Sequence, residues 1–326
     1  MRRGALALFM MVVAAGAVAA QPAASGADWP DRPIHLIVPF PAGSSSDIVA
    51  RLVAQNLSER LGQQLLVENR PGASGNVGTE AVAHAAPDGY TLGLANTSTH
   101  TVSPSLMTKQ TYDPVKDFAP ISMIGASSFV LVLYAGVAAH TVPDLVALAK
   151  NKPGKLTFAS AGPATLANLA GVLFAKMANI ELTPVSYRGS EQEILDVIAG
   201  RADMAFVTTP PTLQLIRDGK VHAIAVTGAQ RSSALADVPT IAESGLPGYE
   251  TVLWQAMYAP AGTPARIVTR LNTEVNASLH DDAVVAALSK LGVEAEPSTP
   301  QALAARIAAD IKKWHDVIVS ARIHVE

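Results

Sequence analysis

Hydroxyl side chains beside a flexible turn are the first residues in this 326-residue chain whose types and spacing could do chemistry. Pro39-Phe40-Pro41-Ala42-Gly43-Ser44-Ser45-Ser46-Asp47 separates the apolar run Ile34–Val38 from a helical run ending near Leu61. Gly43 permits a backbone geometry that other residues resist, and any of Ser44, Ser45 and Ser46 can cap the helix. A helix start leaves backbone N–H groups aimed at one spot, which suits an anion. An ordinary capped strand–turn–helix corner fits the same residues, so this stretch alone leaves both readings open. A second corner of the same kind follows, with strand Leu156–Ala159, turn Ser160-Ala161-Gly162-Pro163-Ala164-Thr165 and a helix from Leu166. Two such corners on opposite sides of a ligand would clamp a carboxylate, each charge-assisted hydrogen bond contributing about 1.5–3 kcal/mol.

Other chemistry is less well supported. There is no G-x-S-x-G elbow to activate a serine. The eight histidines (35, 84, 100, 140, 222, 280, 315, 324) form neither H-E-x-x-H nor any ligand-like spacing, so no metal is expected. A lone His100 reads as a structural hydrogen-bonder. Gly72-Ala73-Ser74-Gly75-Asn76-Val77-Gly78 has the spacing G-x-x-G-x-x-G, a helix entry rather than a dinucleotide loop, so no cofactor is expected. Glu191 and Glu193 lie near one helix start, where the helix dipole accounts for them.

The elements that must position these corners alternate along the chain. Arg2 and Arg3 precede an apolar run ending in small residues at Ala19-Ala20, the pattern of a secretory signal over residues 1–20, with a linker over 21–29. Without those arginines the formal charge goes from −3 to −5, and no basic stripe suits nucleic acid. The absence of cysteine excludes disulfides and lipid attachment through an N-terminal Cys and fits export to a periplasm. Strands are expected at Ile34–Val38, Leu65–Glu68 and Tyr90–Ala95 around helices Asp47–Leu61 and Val77–Ala85. The first helix should bury Ile48, Leu52, Val53 and Leu57. Ile121–Ala135 reads as strands crossing to a second lobe, interrupted around Gly125–Ser128, where strand and helix alternate again; Thr251–Tyr258 reads as the return. Thr263 should cap the following helix with Pro264 at its first position. This is an α/β chain of two lobes with parallel sheets: lobe 1 over 30–128 and 256–326, lobe 2 over 129–255, hinged around an interdomain cleft.

Beyond composition, WPDRPIHLIVPFPAGSSSDIVAR, VENRPGASGNVGTEAVAHAAPDGYTL, YDPVKDFAPIS, VSYRGSEQEILDVIAGRADMAF, DVPTIAESGLPGYE and YAPAGTPARIVTRLN together resemble the Bug receptors. These are the periplasmic substrate-binding proteins of tripartite tricarboxylate transporters. The resemblance, from Trp29 onward, implies a periplasmic-binding-protein-like (type II) fold that closes on a small organic acid and delivers it to transporter membrane subunits. It implies a monomer with no catalytic activity, in which Phe40, Ala42, Gly43 and Ser44 face Ser160, Ala161, Gly162 and Thr165 across a ligand carboxylate. Two departures from the family pattern stand out: Ser44 replaces a second glycine, and Pro163-Ala164 alters the second loop.

Further contacts carry more than one reading. Asp47 could accept from a ligand ammonium or hydroxyl, or serve as a capping group. Thr97 and Ser98 end a strand, as ligand contacts or as a polar turn. Arg188 could meet a distal carboxylate or form a surface salt bridge. Asp203 joins the ligand set, and also suits ordering the Arg201-Ala202-Asp203 turn. Trp254 could line the cleft or pack the hinge. An enzyme on the same scaffold, using Ser44 or Thr165, is the alternative, as is a receptor that signals to a sensor.

Overall fold

The structure, a computed structural model, describes residues 29–106, 111–160, 162, 164–187 and 190–321. The expected export signal, Ala161 and Arg188 lie outside these described residues. The chain opens with β1 (Ile34–Val38), α1 (Ser45–Leu61), β2 (Leu65–Asn69), α2 (Asn76–Ala83) and β3 (Thr91–Asn96). A π-helical turn at Ser98–Val102 runs into α3 (Ser103–Leu106), where the sequence suggested only the end of a strand. Then come β4 (Phe118–Leu133), α4 (Val142–Asn151), β5 (Thr157–Ser160), α5 (Leu166–Ala178), β6 (Thr183–Ser186), α6 (Ser190–Ile198), β7 (Met204–Thr208), α7 (Thr209–Arg217) and β8 (His222–Val226). The return is β9 (Val252–Pro260), followed by α8 (Ala265–Ser278), α9 (Asp282–Lys290), β10 (Glu294–Ala295) and α10 (Pro300–Ala321).

Two sheets share one strand. The first runs β2-β1-β3-β9-β4, with β10 against β4; the second runs β6-β5-β7-β4-β8. Strands β1, β2 and β3 are parallel, as are β5, β6 and β7. The wholly parallel sheets expected from the alternation are mixed instead, because β4 and β9 return through them antiparallel. Residues Phe118–Ser128 of β4 pair with β9 in the first sheet, and Phe129–Leu133 pair with β7 in the second. The expected interruption at Gly125 is not a break. A Cβ there would lie 2.5 Å from the Glu294 carbonyl oxygen, so glycine lets β10 pair at this point.

Both faces of each sheet are covered, which is why the strands are apolar throughout. Ile34, Leu36 and Val38 pack under α1, α8 and α9, while Ile37 faces the opposite core with Trp254, Leu303 and Ile307. The inner face of α1 is Val49, Val53, Leu57 and Leu61; Ile48 and Leu52 are half-buried on its flank. At α8, Pro264 takes the cap position and the Thr263 hydroxyl donates to Pro260 O (2.8 Å) instead of capping. Helix α10 serves both halves of the molecule. Leu303 and Ile307 pack near the first sheet, whereas Trp314 and Ile318 join Phe158, Phe174 and Phe206 beside the second.

Candidate functional site

The loop after β1 is shaped by Asp47. Ser44 adopts an extended backbone, caps α1, and accepts from Asp47 N–H at 3.3 Å. Gly43 sits at φ +80° and donates its N–H to Asp47 Oδ2 (2.9 Å), a turn that only glycine makes without strain. Asp47 Oδ1 accepts from Arg51 Nε and Asn69 Nδ2, both at 2.9 Å. Burial pushes the Asp47 carboxyl up, but the bonds from Arg51, Gly43 and Asn69 outweigh it and hold its pKa below the ordinary value. Its oxygens are thereby committed to the loop. The N–H groups of Ser45 and Ser46, in the first turn of α1, have no intrahelical partner. Their side chains are braced from behind, Ser45 Oγ by Gln255 Nε2 (3.1 Å) and Ser46 Oγ by Asn96 Nδ2 (3.3 Å).

The second corner repeats the device. Thr165 has an extended backbone, caps α5 by accepting from Asn168 N–H (3.3 Å), and donates its hydroxyl to Gly162 O (2.7 Å). Ser160, fully buried, donates to Asn168 Oδ1 at 3.4 Å. The second corner also touches turns that flank the first. Leu166 N–H, at the first position of α5, donates to Ser98 Oγ (3.0 Å) from the π-turn after β3. Gly162, at φ +127°, lies so near Ser74 that an added Cβ would come within 2.9 Å of its hydroxyl.

Between the corners is a narrow cavity of about 50 Å³. Phe40, Ser44, Ser45, Ser46, Asn96 and Ser98 line one side; Thr165, Ala167, Glu193 and residues 206–208 line the other. Phe129 and Leu253 close it where β4 and β9 cross between the sheets. The lining comes from the C-terminal ends of β1, β3 and β7 and from the helix after β5, where open α/β sheets hold ligands.

Of the candidates read from sequence, the cavity brings together Phe40, Ser44, Ser98 and Thr165. Ala42 and Gly43 are exposed beside it, and Ser160 braces α5 from behind. Thr97 is turned into the hinge, accepting from Trp254 N–H (3.0 Å) and donating to Val252 O (3.2 Å). Trp254 is fully buried away from the cavity, with its Nε1 donating to Asp310 Oδ2 (2.8 Å). Asp203 is not at the cleft. Its Oδ2 accepts from the Thr157 N–H (2.7 Å) and hydroxyl (2.8 Å), tying together the N-terminal ends of β5 and β7, opposite the ends that line the cavity. His100 is sealed among Tyr112, Phe118 and Tyr258, and burial drops its pKa to about 3, so it stays neutral.

Sequence reasoning missed Asn96, Phe206, Thr208 and Glu193 as cavity residues. Glu193 is 1% exposed and its Oε1 has no hydrogen-bond partner. Burial raises its pKa well above the ordinary carboxylate value. The available signal was its register: Glu193 shares a helix face with Val197, one turn on and fully buried, so its carboxyl points inward rather than to the solvated face. Among the described residues, no group of three or more His, Asp or Glu side chains is placed to hold a metal. No helix among them is long and apolar enough to cross a membrane.

The chain matches the model of the tripartite tricarboxylate transporter family receptor over residues 49–323. It is 35% identical over 314 residues to Protein BugT of Bordetella pertussis, covering 96% of each chain. Among solved structures, an R. palustris protein with adipate aligns at TM-score 0.89 and 36% identity, over 91% of this chain and 99% of that one. MatC of Rhodopseudomonas palustris with bound malate aligns at TM-score 0.84 and 30% identity, over 89% of this chain and 100% of that one. A match across most of the chain, on a two-sheet fold with paired helix-capped corners, makes this protein a member of the tripartite tricarboxylate transporter receptor family.

Proposed function

We propose that this protein is a periplasmic receptor, exported by its leader, that encloses a small organic carboxylate and delivers it to the membrane subunits of its transporter. The observation that carries this reading is the pair of helix starts, at Ser44–Ser46 and Thr165–Ala167, that border one cavity from two sides. Unpartnered N–H groups and the positive ends of two helix dipoles favour an anion there. Relatives with adipate and malate bound support a carboxylate as that anion. In this reading the ligand touches Phe40, Ser44, Ser98 and Thr165, while Asp47 holds the first corner in shape. The two lobes, 30–128 with 256–326 and 129–255, close as a monomer around the ligand, which favours the closed form by bridging both.

The protein acts as a receptor, not an enzyme. The Thr165 hydroxyl already accepts from Asn168 N–H and donates to Gly162 O, an arrangement that positions a helix rather than frees a nucleophile. Native mass spectrometry and a thermal-shift screen of mono-, di- and tricarboxylates and amino acids test the reading. A 1:1 complex with unmodified ligand is expected, and at a hundred times Kd the midpoint should rise by about 5 °C. If no carboxylate raises it, the reading falls; turnover of the bound acid would make the protein an enzyme.

A further inference from the structure

Among the described residues, Glu193 is the one acidic side chain on the cavity wall, and the carboxylate clamp leaves it without a role. Its Oε1 is buried with no partner, and so is the hydroxyl oxygen of Thr208 at the end of β7, on the same cavity. Native folds rarely leave such atoms unpaired, and two in one cavity mark where a bound molecule completes the bonding. Among the described residues, the neighbouring elements offer no free counter-charge. β5 contributes Thr157–Ser160 and β7 contributes Met204–Thr208, neither with a titratable group. On α6 itself, Asp196 is paired with Arg201 at 2.7 Å. Tyr187, just before α6, has its phenol pushed up by burial and by its bond to Asp196. From the first corner, Asp47 is spent on Arg51, Gly43 and Asn69. Among the described residues, no arginine or lysine lines the cavity.

Resting on the carboxylate reading above, we propose that the ligand also carries a protonated amine, at the end away from its clamped carboxylate, and that Glu193 receives it. A second carboxylate there would put two acids together in a low dielectric, where no arginine or lysine among the described residues lines the cavity. An ammonium instead offers three donors to acceptors that lack them, Glu193 Oε1 and the Thr208 hydroxyl. Burial raises the Glu193 pKa and so disfavours its charge, and an adjacent ammonium favours the carboxylate, any proton released going to solvent. The complex is then balanced: carboxylate against two helix starts, ammonium against Glu193.

Isothermal titration of the mature full chain with matched acids of four to six carbons tests this. The members differ only at the far end: plain monoacid, diacid, or ω-amino acid such as 5-aminopentanoate beside pentanoate and glutarate. One charge-assisted bond predicts that the best ω-amino acid binds about 10- to 100-fold tighter than its monoacid. Glu193→Gln should erase that preference, its ligand-free melting curve confirming the fold. The proposal is overturned if wild-type protein does not prefer the ω-amino acids, or if Glu193→Gln keeps the preference. Monoacids or diacids binding without an amine preference would leave the carboxylate reading standing and remove only the role of Glu193. Binding of no acid at all would remove both.

Discussion

His100 shows how a single buried side chain sets a pH limit on this fold. It packs against Tyr112, Phe118 and Tyr258, and its Nδ1 meets Thr99 Oγ1 at 3.1 Å. Burial lowers its pKa from 6.5 to about 3 in the folded protein. The sign follows from proton counting. Below pH 6.5 the unfolded chain binds a proton that the folded chain refuses, so stability falls on acidification by about 1.4 kcal/mol per unit until pH nears the folded value. His100→Phe keeps the aromatic packing and removes the titration. Its stability relative to wild type should therefore climb steadily from pH 6 to pH 4, read from urea midpoints. Parallel curves for the two proteins would contradict this account.

At the scale of elements, the two binding corners are the same piece of local chemistry used twice. Ser44 and Thr165 each take an extended backbone and accept from the N–H three residues on, at 3.3 Å in both cases. Replacing Thr165 by Val removes the acceptor and strands the Asn168 N–H, for a cost of about 1 kcal/mol. Thr165→Ser should recover most of that stability in chemical denaturation, whereas equal losses in both variants would show that the cap is unimportant. Residues 98–102 belong to this scale too. Coiled into a π-turn, they present Ser98 to the N-terminus of α5, which a strand ending in a loop would not do. No propensity marks a π-turn in Asn96-Thr97-Ser98-Thr99-His100; packing against α10 holds it.

Over the whole molecule, the contact of Ser98 Oγ with Leu166 N–H links the two sides directly, and in the proposed hinge motion it would favour the closed form. Losing one such hydrogen bond costs about 1 kcal/mol, which shifts the closed–open balance about fivefold. Ser98→Ala should therefore weaken carboxylate binding about fivefold in calorimetry and raise the ligand-free radius of gyration in small-angle scattering. Unchanged affinity would mean that closure does not depend on this contact. Helix α10 also ties the halves, its early turns packing beside the first sheet and its Trp314 and Ile318 beside the second.

By itself the sequence determined the elements and the corners. Apolar strands of four or five residues, proline and glycine punctuation and hydroxyl caps are local signals, and they predict both jaws because a cap needs only its own next three residues. The family could be read from ordered motifs for the same reason. Tertiary structure alone decided which polar residues face the cavity. Thr97 and Ser98 are neighbours of like chemistry, yet one is bonded into the hinge and the other spans the cleft. Asp203 lies within the YRG–RADMAF stretch but at the end of β7 away from the cavity, because parallel strands carry their sites at their C-terminal ends. Glu193 looked like a dipole partner until its helix face was fixed against the second sheet. Whether a side chain meets water, backbone or ligand depends on how elements distant in sequence pack, and no local pattern records that.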